Sequence, residues 1–401
     1  MTTRSTAPTP APPSPIRDDI RSLWMLDDRV DFLNHGSFGA RLRSVHDAQI
    51  RWREQMEARP VEFLDRSGPE LLAEAKAAVG RFLGMQADHF GFTTNATDGV
   101  NAVLRSLRFQ PGDELITTNH VYEAVRRAMR HLAKRAGATV IEVDVPLPIH
   151  GPEAIVAAID GAISDRTRLV VVDHITSPTA VVFPIAAIIE RCAARGVDVL
   201  VDGAHAPGML ELDVEELGAA YYAGNLHKWV GAPPGAGFLW VREDRQAGIH
   251  PTVLSLRLGD GFANEFSWQG TRDVSSWLTA PDAIEAMDNL NGPGSWPRVM
   301  RHNHELAVWV QQMLSDAWDV TPNTPRDGSM LGSMASLPLP AELEQRFETR
   351  DALQAKLYAD HRIEVFVLAW GGRRLVRPCC QVYNTAEQYR RLAAAVCELV
   401  H

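Results

Sequence analysis

From residue 90 to residue 241 the apolar positions follow two alternating rhythms. Short, mostly apolar runs at 90–94, 114–118, 139–145, 169–173, 197–201, 221–223 and 237–241 have the length and β-branched content of strands, with 169–173 of the buried type. Between them, apolar residues recur every three or four positions at 97–107, 122–136, 152–163 and 184–195, the spacing of amphipathic helices. Strands alternating with helices of this length predict an α/β fold whose mainly parallel sheet is covered by helices. In such sheets the chemistry collects beyond the carboxyl ends of the strands. The polar turns 119–122, 174–179, 202–205 and 225–228 all fall there.

Outside this stretch the rhythm changes. Residues 1–15 are rich in Thr, Ala and Pro with nothing to bury, and a disordered tail is expected. A short amphipathic helix is expected over 20–26, then an extended segment, DFLNHGSFGA, turning through Gly36 and Gly39. Its crowded Asn34, His35 and Ser37 are candidate substrate contacts, or an ordinary turn packing Phe32 and Leu33. Helices follow at 44–59 and 70–83. The stretch 197–241 reads as strand, turn, short helix, strand, turn, strand. Downstream, the polar loop 265–273 precedes a helix starting near Ser276, and a long helix is expected over 296–318. The remainder is α+β, with strands at 330–337, 363–368 and 374–377 and helices at 340–358 and 385–399. A chain of 401 residues is too long for one small core. We therefore expect a large domain over 16–290, with 16–45 as an arm toward the small domain or the site, and a small C-terminal domain over 291–401.

Composition narrows the class without naming a chemistry. At 45% hydrophobic and 22% charged the chain reads as soluble and globular. A net charge of −10 without long like-charge runs favours neither nucleic acid nor an anionic membrane as partner. Asp173, His174, Pro178, Pro184 and Glu190 interrupt the apolar region 169–192, which cannot serve as a transmembrane helix. The N-terminus has no apolar core of a secretory signal. The four cysteines show no metal-ligand spacing, and a reducing cytoplasm suits them. His302 and His304, two apart on a helix, point in different directions and make poor metal co-ligands.

Candidate chemistry centres on 197–241. Asp202 ends one strand, and Lys228 follows the next. A pyridoxal phosphate site requires this pair: the lysine binds the aldehyde as a Schiff base, and the acid pairs with the pyridine nitrogen so that the ring accepts electrons. Asn95-Ala96-Thr97 opens a helix whose free N–H groups suit a phosphate, although an ordinary N-cap has the same appearance. No GxxxxGK is present, so this is not a nucleotide P-loop. Arg377, at a strand end, is placed to grip a carboxylate.

The motifs LNHGSFGA at 33–40, NATDGVN at 95–101, VDGAHAPG at 201–208, AGNLHKW at 223–229, GTRD at 270–273 and the R-to-YNT segment at 377–385 resemble those of the isopenicillin N epimerase-like branch of the class V, fold-type I pyridoxal phosphate enzymes. The resemblance runs from about Leu26 to the C-terminus. It implies Lys228 as the Schiff-base lysine and Asp202 as the partner of the pyridine nitrogen. It gives Ala96 and Thr97 the phosphate, with His227 adding a donor. Tyr122 stacks on the ring (His120 being the other candidate), His205 lies by the imine face and Ser177 near the phenolic oxygen. Arg377 binds the substrate carboxylate, with Asn34, His35, Ser37 and Arg272 near the substrate. Thr271 reaches the phosphate of the partner subunit, which implies a homodimer with shared sites. The segment after Arg377 reads Pro-Cys-Cys-Gln where the epimerases have a small-residue series beginning Ile-Ser, and the connection 251–265 is shorter. Both lie where a substrate side chain would be read.

The implied reaction is removal of the Cα proton by Lys228 from an amino-acid-bearing small molecule, in secondary metabolism. Epimerisation is the leading expectation, with His205 or Tyr122 as the second acid. C–S cleavage of a cysteine S-conjugate and transamination are the alternatives, and a pyridoxal phosphate-binding sensor without turnover is the reading from another class.

Overall fold

In the computed structural model, which describes residues 10–400, β1 (Asp31–Phe32) stands apart near the N-terminus. Seven later strands share one sheet: β2 (Phe90–Thr93), β3 (Glu114–Thr118), β4 (Thr139–Val143), β5 (Thr167–Asp173), β6 (Asp198–Gly203), β7 (Tyr221–Asn225) and β8 (Gly237–Val241). Their order is β2-β8-β7-β6-β5-β3-β4, and β8 alone runs against its neighbours. The reason lies in the connections. Parallel neighbours need a crossover, whereas the turn between β7 and β8 returns directly and so reverses the chain. The expected mainly parallel α/β sheet is present.

Successive side chains on a strand face opposite ways. Val170, Val172, Val199, Val201, Phe238 and Trp240 therefore pack into one apolar layer. Leu169, Val171, Leu200, Tyr221 and Leu239 pack into the other, against α1 (Ala96–Ser106) and α2 (Glu123–Ala136). Layers on both faces explain why these strands read as unbroken apolar runs. The edge strand β4 is the one left partly exposed along its whole length.

A long helix, α3 (Trp296–Trp318), has the bounds its spacing predicts. Beyond it come β9 (Leu337–Pro338), β10 (Ile363–Glu364), β11 (Phe366–Trp370), β12 (Arg373–Arg377) and α4 (Ala386–Val400). β11, β12 and β9 form an antiparallel sheet over a second apolar cluster that includes Leu306, Val310, Val376, Leu392 and Val396. Leu33 joins that cluster, and β1 pairs with β10. Arg391 of α4 clasps Asp31 through two bonds of 2.6 and 2.7 Å. The N-terminal segment is thus tied to the C-terminal part of the chain.

Several local expectations are corrected. The strand expected over 330–337 is reduced to Leu337–Pro338, with single bridges from Leu331 to Val181 and from Met334 to Cys379. The helix expected over 340–358 is two, Glu342–Arg346 and Arg350–His361, because Thr349 caps the second by accepting from the Ala352 N–H. The strand expected over 363–368 divides at Val365 between two sheets. The helix expected over 20–26 is one tight turn, Ile20–Leu23. Residues 35–38, expected extended, form a helical turn ended by Gly39 at φ 75°. Turns replace the short helix expected between β6 and β7. Of the expected tail, residues 1–9 lie outside the described residues, and residues 10–15 form no regular element. Among the described residues no helix is long and apolar enough to cross a membrane.

Candidate active site

Parallel register sets the site. Asp173 at the end of β5 lies opposite Asp202 at the end of β6, which lies opposite Ala223 two residues before Asn225. These strand ends open into a cleft of about 430 Å³. Asp173, Asp202 and Asn225 line its floor, Thr97 and Tyr122 come from the starts of α1 and α2, and His205, His227 and Lys228 come from the turns after β6 and β7. Ser37 and Phe38 of the N-terminal segment close one side, and Ser177 another.

Lys228 is held at its tip. Its Nζ lies 3.3 Å from His205 Nε2, and the Trp229 indole N–H donates to His205 Nδ1 at 3.3 Å. Nδ1 therefore accepts, and the ring proton sits on Nε2, facing the lysine amine. Burial, then the positive charge of Lys228, holds the His205 pKa well below the usual histidine range, so the ring is neutral. Burial and Arg377 bring the Lys228 amine down to about 8. Burial also lowers His227 to about 4, with Lys228 adding to the effect.

Two carboxyls share the floor. One Asp202 oxygen accepts the Ala204 N–H at 3.0 Å. Burial raises its pKa, opposed by that N–H and by Lys228. Asp173 is raised well above the carboxylate range by burial and by the adjacent Asp202. One of its oxygens is buried with no partner among the described residues. Burial raises both acids and the adjacent Asp202 adds to the rise at Asp173, so the pair disfavours having both carboxylates ionised.

The residues present fit a pyridine ring bearing an aldehyde and a phosphate. The floor offers an acid for a ring nitrogen, and Lys228 offers a partly deprotonated amine for the aldehyde. The N-terminus of α1 faces the cleft as a phosphate cradle. Within that cradle the Ala96 N–H is committed to Asn225 Oδ1 at 2.7 Å, which leaves the Thr97 N–H as the open donor of the two. Asn95 caps the helix by accepting from Asp98.

Arg377 stands one layer behind the cleft wall, fully buried, with the Phe366 ring 4.8 Å from its guanidinium. It donates to the Ser177 carbonyl at 2.5 Å and to the hydroxyls of Ser177 and Ser37 at 3.3 and 3.5 Å. Its Nε has no partner among the described residues. Tyr122, 42% exposed, and Phe38, 79% exposed, put aromatic surface at the cleft.

Other expected residues lie elsewhere. Asn34 and His35 do not line the cleft. Asn34 donates to Glu364 and accepts from Ser37, while His35 is buried between Tyr383 and the Lys228 backbone. His120 is buried too, donating to the Val145 carbonyl and accepting from Thr179, and cannot stack on a bound ring. Thr271 is exposed and Arg272 lines a separate groove beside Phe92 and Trp277, both outside their own chain's cleft, with Arg272 lying over the Trp277 ring. Asp173 and Phe38 were missed. Asp173 had a signal, an acid ending an all-valine run in the strand before Asp202, but pairing of the two strands is a tertiary fact.

This fold and this cleft define a fold-type I pyridoxal phosphate-dependent enzyme, and pyridoxal phosphate is the cofactor. The chain matches the family model for aminotransferase class-V over residues 56–390 and belongs to that family. It is 33% identical to isopenicillin N epimerase of Amycolatopsis lactamdurans over 95% of this chain and 98% of the relative. It is 30% identical to an L-cysteine desulfhydrase of Arabidopsis thaliana over 92% of this chain and 87% of the relative. The apo structure of a cysteine desulfurase from Thermococcus onnurineus NA1 shares the fold with a TM-score of 0.80 at 21% identity, covering 97% of this chain and 99% of that one. Epimerases and C–S bond-cleaving enzymes are therefore both among its relatives.

Proposed function

We propose that this enzyme breaks the C–S bond of cysteine or a small cysteine S-conjugate by β-elimination. The observation that carries this reading is the supply of proton carriers. Lys228, with its amine near 8, is poised to take and return a proton near neutral pH, whereas His205 and His227 are held neutral far below it. Elimination needs one base, and inversion at Cα needs two on opposite faces.

Bound pyridoxal phosphate supplies an electron sink for the pair left at Cα. The chain's residues do the rest. Asp202 would pair with the ring nitrogen, and Thr97 and His227 would hold the phosphate. Ser177, which lines the cleft, would meet the phenolic oxygen. Arg377 takes the substrate carboxylate, which replaces its long bond to Ser37. Lys228 removes the Cα proton, and the Cβ–S bond breaks with its electron pair leaving on sulfur. The thiolate takes up a proton, and water hydrolyses the released enamine to pyruvate and ammonium. A thiolate leaves readily, so no second strong acid is required. The likeness to an L-cysteine desulfhydrase supports the same chemistry.

Epimerisation is the second reading, supported by the Tyr122 phenol in the cleft and by the likeness to isopenicillin N epimerase. The test is incubation of the holoenzyme with L-cysteine and S-alkyl cysteines in deuterium oxide. Sulfide or thiol released in step with pyruvate is expected, and both are lost in Lys228→Ala. Deuterium at Cα with inversion and no fragmentation would sink the elimination reading in favour of the epimerase.

We also propose a homodimer in which Thr271 and Arg272 serve the partner's site. The exposed Val253, Leu254, Leu256 and Leu258 support it, because a run of apolar side chains next to that groove suits a covered surface. A reducing, cytoplasmic setting suits the four free cysteines.

A further inference from the structure

Lys228 is gripped at two points, and only one of them is in the cleft. At its tip, Nζ faces His205. At its backbone, the carbonyl oxygen lies 3.0 Å from His35 Nε2. A carbonyl only accepts, so Nε2 carries the proton and Nδ1 accepts from the Tyr383 hydroxyl at 2.8 Å. Tyr383 is itself buried and set edge-on against Trp24, 5.1 Å between ring centroids. The two grips are joined. The His35 ring packs on Trp229 at 4.7 Å, and the Trp229 indole donates to His205, which returns to Nζ. The route Tyr383, His35, Trp229, His205 and Lys228 is a closed set of buried contacts around one lysine.

Its parts come from distant places in the chain. β1 pairs with β10 and delivers His35, Tyr383 comes just before α4, and Lys228 follows β7. Gly39 permits the approach: a Cβ there would lie 2.1 Å from the His227 oxygen and 2.9 Å from the Lys228 oxygen. No side chain but hydrogen fits between the N-terminal segment and the lysine turn.

We propose that His35 is a positioning residue for Lys228, fixing the lysine's backbone so that its side chain alone moves between cofactor and substrate. The proposal rests on the reading of Lys228 as the cofactor-binding base. A lysine that must first bond to a carbon and later reach a Cα proton needs a fixed pivot, because a displacement of about 1 Å at the reacting atom can cost on the order of a hundredfold in rate. His35 acts through the lysine backbone and touches neither cofactor nor substrate.

The experiment compares wild type, His35→Leu, His35→Gln, Tyr383→Phe and Lys228→Ala. For each, the apoprotein is mixed with pyridoxal phosphate and the growth of the lysine-bound absorbance band is timed. Melting temperatures of the apoproteins are recorded, and kcat and KM are measured with L-cysteine. In His35→Leu, capture and kcat should each fall about tenfold with KM nearly unchanged, as misplacement of a catalytic group predicts. His35→Gln, whose amide can donate to the Lys228 carbonyl and accept from Tyr383, should recover most of both. Wild-type capture and kcat in His35→Leu would overturn the proposal. So would equal losses in Leu and Gln that merely track a lowered melting temperature. Should His35→Leu not fold, Tyr383→Phe decides. It keeps the ring but removes the hydroxyl bonded to Nδ1 that holds the ring's orientation, so the ring is free to turn away from the Lys228 carbonyl and capture should slow with little change in melting temperature. Unchanged capture in that variant would overturn the proposal. Lys228→Ala separates the two claims: capture retained there removes the lysine reading and the positioning role together, whereas capture lost there with wild-type behaviour in His35→Leu removes the positioning role alone.

Discussion

Asp173 and Asp202 stand side by side on neighbouring parallel strands, and burial beside Asp202 gives Asp173 a large effect on stability. Asp173 is buried, one oxygen lacks a partner among the described residues, and its acid is raised well above 3.8. A carboxyl whose folded pKa exceeds its unfolded value takes up a proton on folding. Its contribution therefore favours the folded state at low pH and is lost as pH rises from the unfolded value toward the folded one. The apoprotein should lose stability through that window. Asp173→Asn, which removes the titration and keeps the shape, should flatten the decline and stabilise the neutral-pH apoprotein by about 1–3 kcal/mol. Denaturant melts of both apoproteins at several pH values check this, and an unchanged slope would show that Asp173 does not titrate as its burial requires. At this scale the meeting of Asp202 and Lys228 in one cleft was legible from residue type and place at strand ends. His35, a candidate substrate contact or part of an ordinary turn, lies behind the cleft. Its partners, the Lys228 carbonyl and the Tyr383 hydroxyl, are far away in sequence, and nothing in LNHGSFG says which way the ring turns.

The elements that matter most here are short. β1, two residues long, and the helical turn His35–Phe38 bring Ser37 and Phe38 to the cleft and His35 to the lysine. Gly39 ends that turn at φ 75° and ψ 171°, a conformation open essentially to glycine alone. Gly39→Ala should cost about 1–3 kcal/mol from the backbone conformation, with a further loss because its Cβ would overlap the His227 oxygen. A lower melting temperature together with faster loss of cofactor on dialysis is the expected result. Normal retention of cofactor would mean that the segment does not need to sit on the lysine turn. The strands of the large sheet were legible to within a residue or two, since both of their faces are apolar. The segment 330–337 was not, although it looks like a strand. It spans between the two apolar cores, pairing through single bridges to Val181 and Cys379, and the partners that would have made it a ladder are absent from its path. The helix expected over 340–358 failed for a local reason, the competing cap at Thr349.

At the scale of the whole molecule, Thr271 lies outside the cleft of its own chain, and the proposed role in a partner's site can be tested. If Thr271 serves the partner's phosphate, Thr271→Asp should weaken cofactor binding, and mixing its subunits with those of Lys228→Ala should restore activity. Each mixed dimer would then hold one intact site, made of the lysine of one subunit and the threonine of the other. Random reassortment would recover about a quarter of wild-type activity. Absence of recovery, with mixed dimers verified by mass, would place Thr271 outside the partner's site.

What the sequence by itself determined is what short-range pattern and residue chemistry can carry: the alternation of strand and helix, the parallel sheet, the acid and the lysine at strand ends, and through its motifs the cofactor. These follow from periodicities of two and 3.6 residues and from groups whose reactivity is intrinsic. Tertiary structure alone decided the rest. It set Asp173 against Asp202, put Arg377 behind Ser177 and Ser37, turned His35 toward a backbone carbonyl, and left Thr271 outside the cleft. Each of those outcomes depends on which distant segments come into contact, and the direction of a buried side chain is set by the partners that satisfy its polar atoms, which no single stretch of sequence contains.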